Sequence, residues 1–558
     1  MSVKEKMQKA ADWVLNQIGL KKKTKKEIII NVENLETRVA LMENGRLEEY
    51  TVDIPEEERL VGCIFKGRIE NLEDDLQAAF VNIGLKKNAF LHYWDMSPDS
   101  DAFLDEEDDT RNDSKKKKRK PNAKRFTNEE IHQKFPVGSE ICVMITKDPI
   151  STKGPRVSAN LAIPGRYLVM MPGESVRGIS RKISDKAERD RLRKILDRLT
   201  LPPDVGVIAR TAGIGVKPKA FARDLRQLLQ QWEELKANQK TRMAPCCIHK
   251  EPGLVERVVR DWLTDDIECV MIDDKDSYEE MLELTKKISR RAQKKLRRYE
   301  GPANIFDHTG VSRQLESAFR RQVPLKSGGY LVIDETEALV AVDVNTGHHK
   351  LKDKAEAVNE GKNLQEQAIL AVNLEAVEEV ARQLRIRNIG GLVVLDLIDM
   401  KSNKHQRQVQ KALKEALKRD RARTNVQDIS KLGLLEMSRQ REEKSIISKL
   451  SSTCPCCNGH GVISSPLAIS IEIQRKLVEL LRRAEIEKRP FMPKILVAPA
   501  VLQRLSTEDE TILKTIQKAY ATQLRFRAEP HRHPESFQIL DSETGQVLYS
   551  TGGNLPSV

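Results

Sequence analysis

Aromatic residues are scarce: Phe, Tyr and Trp make up 4% of the 558 residues. Any surface that stacks nucleobases must therefore use a handful of identifiable rings. Long apolar runs are missing too, and none approaches the ~18–20 residues that span a bilayer. The first turns carry charges and no signal-peptide apolar region, so a cytoplasmic location is expected. The 8 cysteines are scattered apart from one cluster, which fits a reduced compartment rather than a disulfide framework. No long Pro/Arg-rich tail closes the sequence.

Charge, in contrast, is plentiful. There are 96 Lys and Arg against 83 Asp and Glu, a net charge of +13. A chain this basic suits a polyanionic partner, although a merely soluble surface gives the same balance. The length implies several domains of about 100–200 residues each.

Two short apolar runs, each carrying an acid, organise the middle of the chain. Residues 329–345 read as a hairpin, GYLVID–ETE–ALVAVDVN. In its second half Val340, Val342 and Val344 point one way, while Asp343 and Asn345 point the other. Residues 391–400, GLVVLDLIDM, are apolar on both parities up to Asp396, as expected of a strand covered on both faces. Between them, 373–387 has helical apolar spacing, with Asn373 as its expected cap and Gly390–Gly391 as its stop. Strand, helix, strand implies a right-handed crossover between parallel neighbours. Asp343 and Asp396 then lie near the carboxyl ends of adjacent strands, where open α/β sheets place their sites. Two carboxylates that close need a shared proton or a hard cation. With the amide oxygen of Asn345, they suit octahedral magnesium held partly by substrate phosphates. The alternative is structural: one Asp caps a helix or pairs with an Arg.

Short alternating strands begin near residue 60 and suggest a small barrel. In AAFVNIG, Val81 and Ile83 take the core face, leaving Phe80 outside with Asn82. In NAFLH, Ala89 and Leu91 take the core face, leaving Phe90 outside with Asn88 and His92. Phe80 and Phe90 could stack bases, with Lys66, Lys147 and Lys153 touching phosphates. The competing reading makes either Phe ordinary core. Residues 95–125 interrupt the barrel: 7 acids fall within 98–109, then Lys115–Lys120 is unbroken basic sequence. This reads as a disordered surface loop.

Further along, GRYLVMMPG (165–173) and VGVIARTAGIG (205–215) each read as a strand and turn. Arg210 beside Thr211 at a Gly-rich turn suits a terminal phosphate; a salt-bridging Arg is the alternative. Residues 405–423 form a basic helix able to flank a phosphodiester backbone. Cys454 and Cys457 make a C-x-x-C with knuckle-like flanks. Structural zinc needs four ligands, supplied either by another protomer or in cis by His460 and Cys456; a redox pair is a third reading. Residues 494–502 resemble a buried strand in a small α+β piece that also holds an amphipathic helix, 469–484. At the other end, residues 1–26 read as a basic helix and KKKTKK, either a loose extension or a membrane-surface or RNA tether.

The motifs AAFVNIG, RYLVMMPG, ARTAGIG, KSGGYLVIDETEALVAVDVNTG, NLEAVEEVARQLRIRNIGGLVVLDLIDM, GLLEMSRQR and CPCCNGHG occur in an order that resembles the bacterial ribonuclease E/G family over roughly residues 27–550. The resemblance implies a cytoplasmic endoribonuclease cutting single-stranded RNA in rRNA and tRNA processing and mRNA decay. It implies one magnesium ion per active site on Asp343 and Asp396, helped by Asn345. It implies RNA binding by Phe80, Phe90 and Lys153, and a 5′-monophosphate pocket of Arg210, Thr211, Gly165 and Val169. It further implies a homodimer or tetramer joined by zinc on Cys454 and Cys457 of two subunits.

The implied architecture is multidomain α/β and α+β. A basic extension (1–26) precedes a ribonuclease H-like piece in two parts (27–60 and 256–318). Inserted within it are an OB-type barrel (61–155) and a 5′-phosphate sensor region (156–255). A deoxyribonuclease I-like catalytic domain (319–452), a zinc link (453–464) and a small domain (465–558) follow. The insertion 95–125, a long loop after Asn345 and Cys456 inside the knuckle depart from the family pattern. Without the long scaffold of the E type, the chain looks closer to the short G type. Two rival readings are a non-catalytic RNA-binding or assembly protein and a magnesium nuclease acting on DNA.

Overall fold

The computed structural model describes residues 24–55, 59–96, 126–149, 154–180, 182–183, 185–288, 290–336, 338–347, 361–440 and 445–551. Lys153, residues 97–125 of the charged insertion and residues 1–23 of the basic extension expected above lie outside them. The chain forms two units, Met1–Lys449 and Leu450–Val558.

Two distant stretches build the first sheet of the larger unit. Its order is Leu296–Arg298, Ile267–Ile272, Lys26–Val32, Thr37–Glu43, Arg46–Asp53, with the first three parallel and the rest antiparallel. Ile28, Ile29 and Ile30 are all buried, because this central strand is covered on both faces. Asn44 and Gly45 both take positive φ, 52° and 78°, the two-residue hairpin turn that an Asn-Gly pair favours.

A closed five-stranded barrel follows. Ile64–Glu73, Ala78–Asn82, Ala89–His92, Arg156–Ser158 and Glu140–Lys147 pair in that order, and the last returns to the first. Closure removes the unpaired edges that a small sheet would otherwise expose. Gly67 is required where strands approach, since a Cβ there would lie 2.6 Å from Val81 Cγ1. The four-stranded sheet beyond it, Arg177–Ile179, Val205–Ala209, Leu168–Pro172, Ile163–Pro164, packs against helices Lys186–Asp197 and Pro218–Thr241.

The six-stranded sheet runs Gln322–Pro324, Tyr330–Glu335, Leu339–Asn345, Gly391–Asp396, Leu434–Arg439, Thr424–Val426. Its one parallel pair is Leu339–Asn345 with Gly391–Asp396, as the crossover requires. The crossover helix is longer than its periodic part suggested, Gly361–Ile386. Asn373 is therefore no cap: it sits mid-helix and fully buried. The helix ends on Asn388 at φ 50° rather than on glycine; Ile389 N–H then reaches back to Leu384 O at 3.0 Å, closing a Schellman-type end. One face of the sheet packs on this helix and on Asn403–Leu417, burying Val340, Val342, Val344, Val393 and Leu395.

The other face departs from expectation. Leu392 is 46% exposed and Asp396 is exposed, so Gly391–Asp396 is covered on one side only. Apolar side chains on both parities did not distinguish a doubly covered strand from a half-open one.

The smaller unit pairs Arg525–Ala528, Pro493–Val497, Gln538–Asp541 and Val547–Ser550 over helix Pro466–Ile486. The expected strand 494–502 stops at Val497, and Pro499 opens a helix to Thr507, the position where proline is best tolerated. Among the described residues no helix is long and apolar enough to cross a membrane.

Candidate active site

Asp343 and Asp396 are direct register partners across the parallel strand pair. Both are exposed, on the open face of a sheet whose opposite face is packed. Alternation makes this inevitable once Val342 and Leu395 point into the core. Asn345 Nδ2 donates to Asp343 Oδ2 at 2.6 Å, which leaves its amide oxygen available. Asp396 stands exposed at the end of its strand, beside Asp343. Two neighbouring carboxylates on an open sheet face, with an amide oxygen beside them, are the kind of donor set a hard divalent ion takes.

The surrounding backbone is locked by features the sequence only hinted at. Asn373 Nδ2 donates to Ile398 O at 2.8 Å, and Ile398 N–H donates to Asn373 Oδ1 at 3.1 Å. The crossover helix thus grips the segment two residues beyond Asp396. At the other acid, a Cβ on Gly329 would lie 2.5 Å from Asn345 O, and one on Gly347 2.2 Å from Gly328 O. The glycines of KSGGYLV allow this close approach. A cleft of about 480 Å³ opens after Asp396, with Asp399, Asn403, Gln406 and Lys431 in its wall.

Gly165, Val169, Arg210 and Thr211 meet at one end of the four-stranded sheet. Leu168 pairs with Ala209 and Val169 with Ile208. Arg210 Nη1 donates to Gly165 O, and Arg210 Nη2 lies 2.7 Å from Asp261 Oδ1. Arg210 thus forms an ion pair within the cluster expected to meet the phosphate. Asp261 also pairs with Arg260, which reaches Glu251 at 2.6 Å. Burial pushes the Asp261 carboxyl up, but Arg260 and Arg210 outweigh it and hold it below the usual range. Thr211 is exposed at the start of a short 3₁₀ turn.

Asp224 holds the turn at Gly165–Leu168. It accepts from the N–H groups of Arg166, Tyr167 and Leu168 at 3.0, 2.8 and 2.9 Å. Burial raises its carboxyl pKa despite these three donors. A Cβ on Gly165 would lie 2.8 Å from Asp224 Oδ2, so the turn requires glycine. Neither Asp224 nor Asp261 was singled out in the sequence, because each is distant in the chain and lies within an ordinary helical pattern.

On the barrel, parity reads correctly. Val81, Ala89 and Leu91 are fully buried, while Phe80 and Phe90 are half-buried register partners on the outer face. Their ring centroids are 6.1 Å apart at 77°. His92 follows Phe90 at 6.4 Å, and Trp94 follows His92 at 4.2 Å.

Cys454 is exposed and Cys457 half-buried, at a turn closed by Asn458 N–H to Cys454 O and His460 N–H to Cys457 O, both 2.8 Å. Asn458 and Gly459 take positive φ, 48° and 88°. Backbone N–H groups of Cys457 and Cys456 lower the Cys454 thiol pKa. Among the described residues, no three His, Cys, Asp or Glu side chains are grouped to hold a metal.

The profile of the Ribonuclease E/G family matches residues 162–442. The chain is 35% identical to Ribonuclease G of Escherichia coli over 518 residues, 92% of this chain and 99% of that protein. It is 32% identical to Ribonuclease G of Haemophilus influenzae over 515 residues, with the same two shares. With Ribonuclease E of Escherichia coli it shares 36% identity over 457 residues, 81% of this chain but 40% of that protein.

Proposed function

Since this chain belongs to the Ribonuclease E/G family, we propose that it hydrolyses single-stranded RNA at the Asp343–Asp396 pair. It is an endoribonuclease, as its Ribonuclease G and Ribonuclease E relatives support. The observation that carries the assignment of the site is the register pairing of the two acids on an open sheet face. Alone, two carboxylates would repel a phosphodiester. A magnesium ion held by Asp343 and Asp396 would supply positive charge for the phosphoryl oxygens and lower the pKa of water.

The chain's own residues do the positioning. Asn345 fixes the Asp343 carboxylate, and Asn373 fixes the backbone after Asp396. Phe80 and Phe90, on a barrel we read as OB-type, hold splayed bases, which a duplex cannot offer. Attack of water on phosphorus with loss of the 3′ oxygen leaves a 3′-hydroxyl upstream and a 5′-phosphate downstream. Arg210 and Thr211, with Gly165 and Val169 lining the turn, receive the 5′-monophosphate of the substrate. The first sheet is the ribonuclease H-like piece of this scheme and the six-stranded sheet its deoxyribonuclease I-like piece. Cys454 and Cys457 would hold half of a four-ligand zinc set, with the same two residues of a second subunit completing it. Processing of rRNA and tRNA and mRNA decay in the cytoplasm are the matching roles.

A magnesium-dependent cleavage assay on a short 5′-labelled RNA tests the assignment. Asp343→Asn and Asp396→Asn are expected to lose cleavage and keep RNA binding. Full cleavage by either variant would overturn it, and cutting of single-stranded DNA at the same rate would favour the DNA nuclease reading. Native mass with and without a strong chelator tests the zinc link: a dimer or tetramer should fall to monomers as zinc leaves.

A further inference from the structure

The ring row on the barrel does not stop at Phe90. Successive ring centroids run Phe80, Phe90, His92 and Trp94, at 6.1, 6.4 and 4.2 Å. A single exposed aromatic residue needs no explanation. Trp94 is different because it is 56% exposed and ends a run of neighbouring rings. It is also held ready. The 3₁₀ turn Tyr93–Met96 is anchored by buried Tyr93 and Met96. Tyr93 N–H donates to Gln77 O at 2.8 Å, Tyr93 Oη–H to Asp74 at 2.9 Å, and Ala159 N–H to Asp95 O at 2.9 Å. Trp94 N–H donates to His92 Nδ1 at 3.2 Å, which places the neutral imidazole's proton on Nε2, away from the backbone.

An ion-paired arginine flanks the rings. Arg156 stands opposite Phe90 in register and pairs with Asp95 at 3.3 Å, its side chain still 36% exposed. Rings in sequence beside an arginine form the combination that binds unpaired bases with little regard to sequence. A ring already fixed loses little freedom when a base stacks on it.

We propose that Trp94, packed on His92, is a further base-stacking subsite that extends the barrel's RNA track past Phe90. It takes an unpaired base of the same strand. The proposal rests on the reading of Phe80 and Phe90 as RNA contacts. It makes the track longer than those two rings and predicts that affinity grows with oligonucleotide length until the Trp94 position is filled.

The test is equilibrium binding of labelled single-stranded RNAs of increasing length to the full chain, without magnesium so that the RNA stays intact. Trp94→Ala should weaken long oligomers at least ~5-fold, from the cost of one lost base stack, and leave the shortest unaffected. Trp94→Phe should restore most of the loss, whereas a merely structural ring would move the melting temperature instead. Phe90→Ala should weaken all lengths. If Phe90→Ala has no effect, the barrel reading itself fails. If Phe90→Ala weakens binding and Trp94→Ala does so at no length, the extension alone is overturned.

Discussion

At the scale of single residues, Asn373 makes the sharpest stability prediction. It is fully buried, and its amide satisfies both backbone groups of Ile398. Asn373→Leu should leave the half-buried Ile398 N–H and C=O without their partner and cost about 1–3 kcal/mol. A thermal melt checks the stability loss, and kcat on a saturating substrate should fall with it because the segment after Asp396 loosens. For the acids, Asp343→Asn should lower kcat on the order of 10³-fold by removing charge where the reaction needs it most, measured with KM held in view. Much of this site was legible beforehand. Period-two alternation fixed which side of the strand Asp343 faced, and it fixed Phe80 and Phe90 equally well. Asn373 was misread because an isolated Asn before an apolar run resembles a cap; its true partner, the Ile398 backbone, lies across the fold.

At the scale of elements, the register of Gly391–Asp396 depends on its antiparallel neighbour as much as on the crossover. Gly391 pairs with Arg439. Arg439 is buried in an ion pair with Asp420 at 2.8 and 3.0 Å and donates to Ile389 O at 2.7 Å. Asp420→Ala should leave an uncompensated guanidinium in the interior and cost about 3–5 kcal/mol, read as a lowered midpoint in urea. The double replacement of both partners by apolar residues should cost much less. Sequence patterning could not foresee this pair, since both residues sit in stretches that look solvent-facing. Nor could it say that Leu392 would be left exposed. Hydrophobicity states what a side chain prefers, and the layer that would satisfy it must come from elsewhere in the chain.

At the scale of the larger unit, the crossover helix is tied to the first sheet through charges rather than through apolar contacts alone. Glu379 meets Arg46 and Arg382, Arg382 donates to Leu47 O at 2.8 Å, and Arg385 meets Glu48 at 2.7 Å. Burial pushes the Glu379 carboxyl up, but Arg382, Gln383 and Arg46 outweigh it, and its pKa ends below the ordinary value. A carboxyl with a depressed folded pKa adds stability above its unfolded pKa of about 4.3 and loses that contribution as pH falls through the folded value. Melting temperature should therefore drop more steeply below pH ~4.3 in the parent than in Glu379→Gln, whose stability is already reduced at neutral pH. Equal slopes for the two proteins would separate this network from acid unfolding. Across the same unit, Arg210→Ala should erase any faster cutting of 5′-monophosphorylated over 5′-hydroxyl RNA while internal cleavage continues. Equal rates on both ends in the parent would remove the phosphate pocket. The motifs of this cluster were visible as strand-and-turn sequences, but Asp224, which holds the turn, and Asp261, which pairs with Arg210, emerged only from the fold.

The pairing of Asp343 with Asp396 also sets where the gene can tolerate length changes. Codons added or lost between Asn345 and the crossover helix at Gly361 leave both strands and that helix in register. A single codon lost inside Gly391–Asp396 reverses which side every later side chain faces, turning the acid inward and Leu395 outward. Natural variation in size should accumulate in the first place and be purged from the second.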